Sequence, residues 1–194
     1  MADRCAMSTH RLPLAQVISR RAIFDGRIIE LSVERVRYPN GHCGDLEIVR
    51  HPGAAAVVPV TDDGQVVLVR QYRHAIGGWL LEVPAGKLDP GEAPVDCARR
   101  ETGEEVALSP RTLVALGSIF PTPGFADERI WLFLGTDLEP VPGGLEPDEV
   151  IEVMQVPMAE AVALAAGAAP VGDNLRDAKS AIAILRAARH LGLD

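Results

Sequence analysis

Between Gly86 and Leu108 the chain reads GKLDPGEAPVDCARRETGEEVAL, with Glu92, Arg100, Glu101, Glu104 and Glu105 at fixed intervals. Five residues separate Gly86 from Glu92, seven separate Glu92 from Arg100, and the run Arg-Glu-x-x-Glu-Glu follows. Pro94 suits a first helical turn, so residues 94–106 are expected to form a helix. On that helix Glu101, Glu104 and Glu105 fall at i, i+3 and i+4 and share one face. Val95, Ala98, Thr102 and Val106 make a separate stripe able to bury. Three carboxylates on one face repel each other unless a cation lies among them, and an all-oxygen donor set suits Mg²⁺ or Mn²⁺. The competing reading is a solvated acidic helix face. Against it stands Glu92, a loop carboxylate flanked by Gly86 and Gly91, which permit close backbone approach to a ligand.

The elements that must position these residues read as mixed α and β. Arg27 to Tyr38 alternates around Ile29, Leu31 and Val33 and runs into Pro39-Asn40-Gly41, a hairpin signal, with Asp45 to His51 as the returning strand. Ala54 to Val60 and Gln65 to Arg73 are apolar runs joined at Asp62-Asp63-Gly64, which predicts a second hairpin. A short strand over Trp79 to Val83 leads into the acidic segment. Strands over Arg129 to Asp137 and Glu149 to Val156 follow it, then two Ala-rich helices over 157–167 and 175–191. The N-terminal hairpin is too small to stand alone, so it is expected to pack on its own core or on a partner subunit.

Composition sets outer bounds. A chain of 194 residues with 47% hydrophobic content can bury one full core. The formal net charge of −8 excludes a general nucleic-acid binder, which needs a basic footprint. No apolar run approaches the length of a membrane span, and the N-terminal residues lack the apolar core of a secretory signal. The three cysteines, Cys5, Cys43 and Cys97, show no C-x-x-C spacing. They are expected to be reduced thiols of a cytoplasmic protein, Cys97 as a small packed residue.

The segment resembles the signature box of the Nudix hydrolases: Gly, five residues, Glu, seven residues, Arg-Glu, an apolar residue, any residue, Glu-Glu, any residue, Gly, an apolar residue. Gly86, Glu92, Arg100, Glu101, Glu104, Glu105 and Leu108 match it. Thr102 stands where an apolar residue is usual, and Ala107 replaces the closing Gly. If residue 107 must be left-handed, Ala there costs on the order of 1 kcal/mol. The flanking runs RQYR (70–73), LEVPAGKLDPGE (81–92), PTPGFADER (121–129) and DAKSAIAIL (177–185) resemble the ADP-ribose pyrophosphatase branch. Pro123 stands where that branch carries its marker Pro, about fifteen residues past the box.

The resemblance implies an α+β fold, an α/β/α sandwich with a mixed sheet, over residues 54–194. A small N-terminal β subdomain over 14–53 would precede it, serving dimerisation, and a tail over 1–13 would precede that. It implies Mg²⁺-dependent hydrolysis of the diphosphate of ADP-ribose to AMP and ribose 5-phosphate, with Mn²⁺ as a substitute metal. Glu101, Glu105 and the Ala85 carbonyl would be the principal metal ligands, assisted by Glu104. Arg100 and Glu92 would orient them from behind, and Gly86 would shape the loop. The general base would come from the acidic loop before the strand IEVMQV, where Glu149 fits better than Glu146. Arg73, Glu128, Arg50 and Pro123 would contact the substrate, with Phe24, Arg27 and Tyr38 as candidates to stack on adenine. A homodimer is implied. Two other readings stay open: a hydrolase of another nucleoside diphosphate sugar such as GDP-mannose, and a silent nucleotide-binding regulatory module.

Overall fold

The computed structural model of the chain describes residues 13–145, 147, 149–168 and 175–193. The expected tail up to residue 12 and the candidate base Glu146 lie outside the described residues. The chain divides into two compact units, Met1–Arg50 and His51–Asp194.

The first unit is a three-stranded antiparallel sheet in the order β1 (Gln16–Asp25), β2 (Glu30–Arg37) and β3 (Cys43–Arg50). The Pro-Asn-Gly turn forms between β2 and β3, where the Tyr38 N–H donates to the His42 carbonyl at 2.8 Å. Strand β1 was not expected. Its pairing with β2 shifts register between Val17 and Ser19 and again between Ala22 and Phe24. Two bulges break the period-2 alternation by which a strand is read from sequence. Glu34 is buried in this sheet and accepts from Arg50 Nη2 at 2.7 Å, with Arg20 Nε at 2.9 Å. The Arg50 hydrogen bond holds the Glu34 carboxyl below its usual range.

The second unit holds two sheets between helices. One runs β7 (Ala85–Lys87), β4 (Ala54–Pro59), β9 (Ile130–Pro140), β8 (Leu108–Ile119), with β4 and β9 parallel. The other runs β10 (Ile151–Pro157), β5 (Gln65–Arg73), β6 (Gly78–Glu82) and is antiparallel. Every residue of β4 is buried. Ala54, Ala56 and Val58 face the cluster of Leu132, Leu134, Ala183 and Ile184, and Ala55 and Val57 face that of Phe133, Cys97 and Ala98. Helices α1 (Pro94–Val106) and α3 (Ala178–Leu191) thus cover opposite faces of one strand, which explains its unbroken apolar run. Helix α2 (Met158–Ala165) packs beside α3.

Three expectations change. The Asp62-Asp63-Gly64 turn forms, with Thr61 N–H donating to the Gln65 carbonyl at 2.9 Å. Beyond the single bridge Val60–Val66, however, its two strands part into different sheets. Strand β8 was not expected, and it contains Pro110 and Gly117, residue types that interrupt a strand pattern. It is an edge strand, where proline is tolerated, and the bulge between Ala115 and Ser118 falls at Gly117, which has φ +90°. On α1, Ala98, Thr102 and Val106 are buried as expected but Val95 is exposed. Cys97 fills that place instead, its thiol pushed up to about 12, first by burial.

Candidate active site

Helix α1 forms where the sequence predicts it, Pro94–Val106. It presents its carboxylates inward: Glu101 is 7% exposed and Glu105 5% exposed. That burial rejects a solvated acidic face. The loop before the helix is drawn onto it by Arg100, which donates to both oxygens of Glu92 at 2.9 Å each. Glu92 Oε2 also accepts the Asp89 N–H at 3.0 Å, and Arg100 Nη2 donates to the Lys87 carbonyl at 3.1 Å. Arg100 Nη1 donates to Glu101 Oε1 at 2.8 Å and to Glu104 Oε2 at 2.9 Å. One guanidinium therefore engages three of the four glutamates of the segment.

Gly86 is required by close approach. A Cβ built on it would lie 2.0 Å from Glu101 Cδ, so any side chain there displaces the carboxylate. Glu105 Oε2 accepts the Ala85 N–H at 3.0 Å. This hydrogen bond ties α1 to β7, the strand after β6.

Burial raises both carboxyls of the pair. Burial, then the carboxylates of Glu101 and Glu149, push Glu105 up to about 8, against the Ala85 hydrogen bond and the charge of Arg73. Glu101 is also raised, by burial first, with Arg100 opposing and Glu104 and Glu149 adding. Among the described residues no three acid, His or Cys side chains close on one point. Glu104 is held by Arg100 and Glu105 by Ala85, in place of convergence on a common centre. Two buried, oxygen-only donors, of which Glu105 has no ion-pair partner among the described residues, nevertheless suit a hard divalent cation.

The structure brings Glu149 and Arg73 into the field of this cluster. The other candidates have surroundings of their own. Glu128 lies 3.7 Å from His51 Nδ1. That nitrogen already accepts the Gly53 N–H at 3.0 Å, so the contact is not a hydrogen-bonded ion pair. Pro123 is exposed in a turn closed by the Ala126 N–H on the Thr122 carbonyl at 3.0 Å. Arg50, Phe24, Arg27 and Tyr38 belong to the first unit, where Tyr38 stacks on His42 with centroids 6.2 Å apart.

Five residues around Arg73, namely Glu82, Lys179, Asp177, Ser180 and Gln71, were not singled out from sequence. Arg73 is bonded through Nε (3.1 Å) and Nη2 (2.5 Å) to Glu82 Oε2, and Lys179 Nζ lies 3.2 Å from Glu82 Oε1. Asp177 and Ser180 complete this network. The available signal was Glu82 itself, a charge inside the apolar strand that leads to the box, which needs a cation if buried. Gln71, two residues before Arg73 on β5, is buried, and among the described residues its Oε1 has no hydrogen-bond partner.

Residues 50–177 match the NUDIX domain family. The chain is 39% identical over 171 residues to the ADP-ribose pyrophosphatase of Bacillus subtilis (strain 168), which covers 87% of this chain and 90% of that relative. It is 39% identical over 149 residues to the methanol dehydrogenase activator of Bacillus methanolicus, over 76% of this chain and 80% of the relative. The fold is similar to that of a crystal structure described as an ADP compounds hydrolase, with a TM-score of 0.80 at 20% identity, covering 96% of this chain and 100% of the other.

Proposed function

The chain belongs to the Nudix family, and from that premise we propose that it hydrolyses the diphosphate bond of ADP-ribose to AMP and ribose 5-phosphate with Mg²⁺ as cofactor. The observation that carries this reading is the burial of two box carboxylates, Glu101 paired with Arg100 and Glu105 with no ion-pair partner among the described residues, both within the field of Glu149. The name and coverage of the Bacillus subtilis relative support the choice of substrate.

Glu101, Glu105 and the Ala85 carbonyl would hold the cation, with Glu104 assisting. When bound, Mg²⁺ neutralises diphosphate charge and makes a water easier to deprotonate. Glu149 accepts the proton of the attacking water, whose oxygen bonds to one phosphorus as the bridging P–O bond breaks. Arg73 binds a phosphate oxygen and offsets negative charge in the transition state. Arg100 and Glu92 fix the loop and the rotamer of Glu101. Arg50, Glu128 and Pro123 contact the rest of the substrate. The working form is a cytoplasmic homodimer. Support for the dimer comes from β1, where Val17, Ile18, Ile23 and Phe24 are exposed apolar side chains on one strand. Among the described residues no helix is long and apolar enough to cross a membrane.

The relative named as a methanol dehydrogenase activator favours a second reading, action on a protein partner. Retention of Glu92, Arg100, Glu101, Glu104 and Glu105 favours catalysis. The test is incubation of the purified chain with ADP-ribose or GDP-mannose, in Mg²⁺ or EDTA, with products identified by mass spectrometry. AMP released from ADP-ribose only with Mg²⁺ is the expected result. Turnover of GDP-mannose alone moves the substrate, and turnover of neither refutes the proposal.

A further inference from the structure

Glu82 is a carboxylate 3% exposed within the β5–β6 sheet, and its two oxygens are divided between two cations. Oε2 accepts both hydrogen bonds from Arg73, and Oε1 faces Lys179 Nζ at 3.2 Å. Lys179 is itself fixed, donating to Asp177 Oδ2 at 2.9 Å. Asp177 caps α3 by accepting the Ser180 N–H at 2.9 Å. The Ser180 hydroxyl donates to Asp177 and accepts the Val83 N–H at 2.9 Å. The first turn of α3 therefore grips β6 at two successive residues, Glu82 by charge and Val83 by its backbone, just before Ala85.

Register makes this grip matter to Arg73. On β5 Arg73 lies opposite Gly78, whereas Glu82 lies opposite Val69, four positions back along the strand. The Arg73 side chain reaches Glu82 only by folding back along the sheet, and there its charge acts on Glu105. Among the described residues Arg73 Nη1 makes no hydrogen bond, while Nε and Nη2 are both taken by Glu82 Oε2.

We propose that Lys179 is a positioning residue for Arg73: by neutralising Glu82 Oε1 it confines the anchoring of Arg73 to Oε2 and leaves Nη1 to a phosphate oxygen of the substrate. This rests on the reading of Arg73 as a substrate contact. Without Lys179, Glu82 Oε1 is a buried, uncompensated acceptor. The nearest cation able to satisfy it is the same guanidinium, which would turn to a two-oxygen, fork-to-fork pairing.

The test is a double-mutant cycle on equilibrium binding of ADP-ribose, titrated calorimetrically in EDTA so that turnover does not enter. Lys179→Met is expected to weaken binding about tenfold, the size of one charge-assisted contact. Lys179→Arg should restore most of the loss. In an Arg73→Met background, Lys179→Met should add less than about twofold. If Lys179→Met does not fold, Lys179→Gln, which keeps a donor for Glu82 but no charge, takes its place in the cycle. Full additivity of the two substitutions, or binding indifferent to Lys179 yet weakened by Arg73→Met, overturns this proposal alone. Binding indifferent to Arg73→Met refutes the substrate role of Arg73 and the proposal with it. No binding of ADP-ribose to the wild-type chain in EDTA overturns this proposal, and the Mg²⁺-dependent release of AMP then decides the functional reading separately.

Discussion

Ala107 terminates α1 at φ 55° and ψ 33°, a left-handed conformation in which the Cβ of an L-residue crowds the following carbonyl at a cost of about 1–2 kcal/mol. Glycine relieves that crowding but loses more freedom on folding, about 0.5–1 kcal/mol. The backbone bonds at this corner do not depend on the side chain. The Ala107 N–H donates to the Gly103 carbonyl, and the Val141 N–H donates to the Ala107 carbonyl, each at 3.0 Å. Ala107→Gly is therefore expected to stabilise the protein by roughly 0.5–1 kcal/mol, raising the melting temperature by about 1–4 °C for a chain of this size. The assay is urea unfolding followed by the fluorescence of Trp79 and Trp131, both in the unit that contains α1. The midpoint should rise with an unchanged slope. Ala107→Val should move it the other way, because a β-branched side chain tolerates this conformation least. A midpoint equal to or below wild type for Ala107→Gly would refute the strain argument.

Gly86→Ala should cut Mg²⁺-dependent turnover of ADP-ribose by about 100-fold, because the new methyl occupies the place of the Glu101 carboxylate; a wild-type rate would mean that Glu101 is not held there for catalysis. Glu105→Gln should lower the same turnover by about 10²–10³ and raise the metal-free melting temperature at pH 8, since the folded state resists ionising this carboxyl until about 8. Unchanged turnover at saturating Mg²⁺ would remove it from the ligand set. The Arg100 hydrogen bonds hold Glu92 down at about 2 against an ordinary 4.5. A depressed carboxylate contributes stability above its unfolded value and loses it as pH falls through its folded value. Between pH 4.5 and pH 2 the wild type should therefore lose more unfolding free energy than Glu92→Gln, and parallel pH profiles would contradict the pairing.

What sequence by itself determined was whatever depends on local geometry. Pro94 and the i, i+3, i+4 spacing fixed the limits of α1 and put the acids on one side. The apolar run Ala54 to Val60 announced a strand, and Gly86 announced a close approach whose occupant is Glu101. Failures came where local pattern was overridden. The bulges of β1 and β8 break the alternation that marks a strand, and no local signal tells the strands either side of Asp62-Asp63-Gly64 to join different sheets. Tertiary structure alone decided the charge states and contacts of the site. Burial of Glu101 and Glu105 is a property of what packs over them, and it turns an acidic run into a cluster in need of a cation. Lys179, nearly a hundred residues from Glu82 in sequence, meets it only because α3 covers the sheet. A charge pair across that separation leaves no period or spacing to read, since its energy depends on distance in space and on exclusion of water.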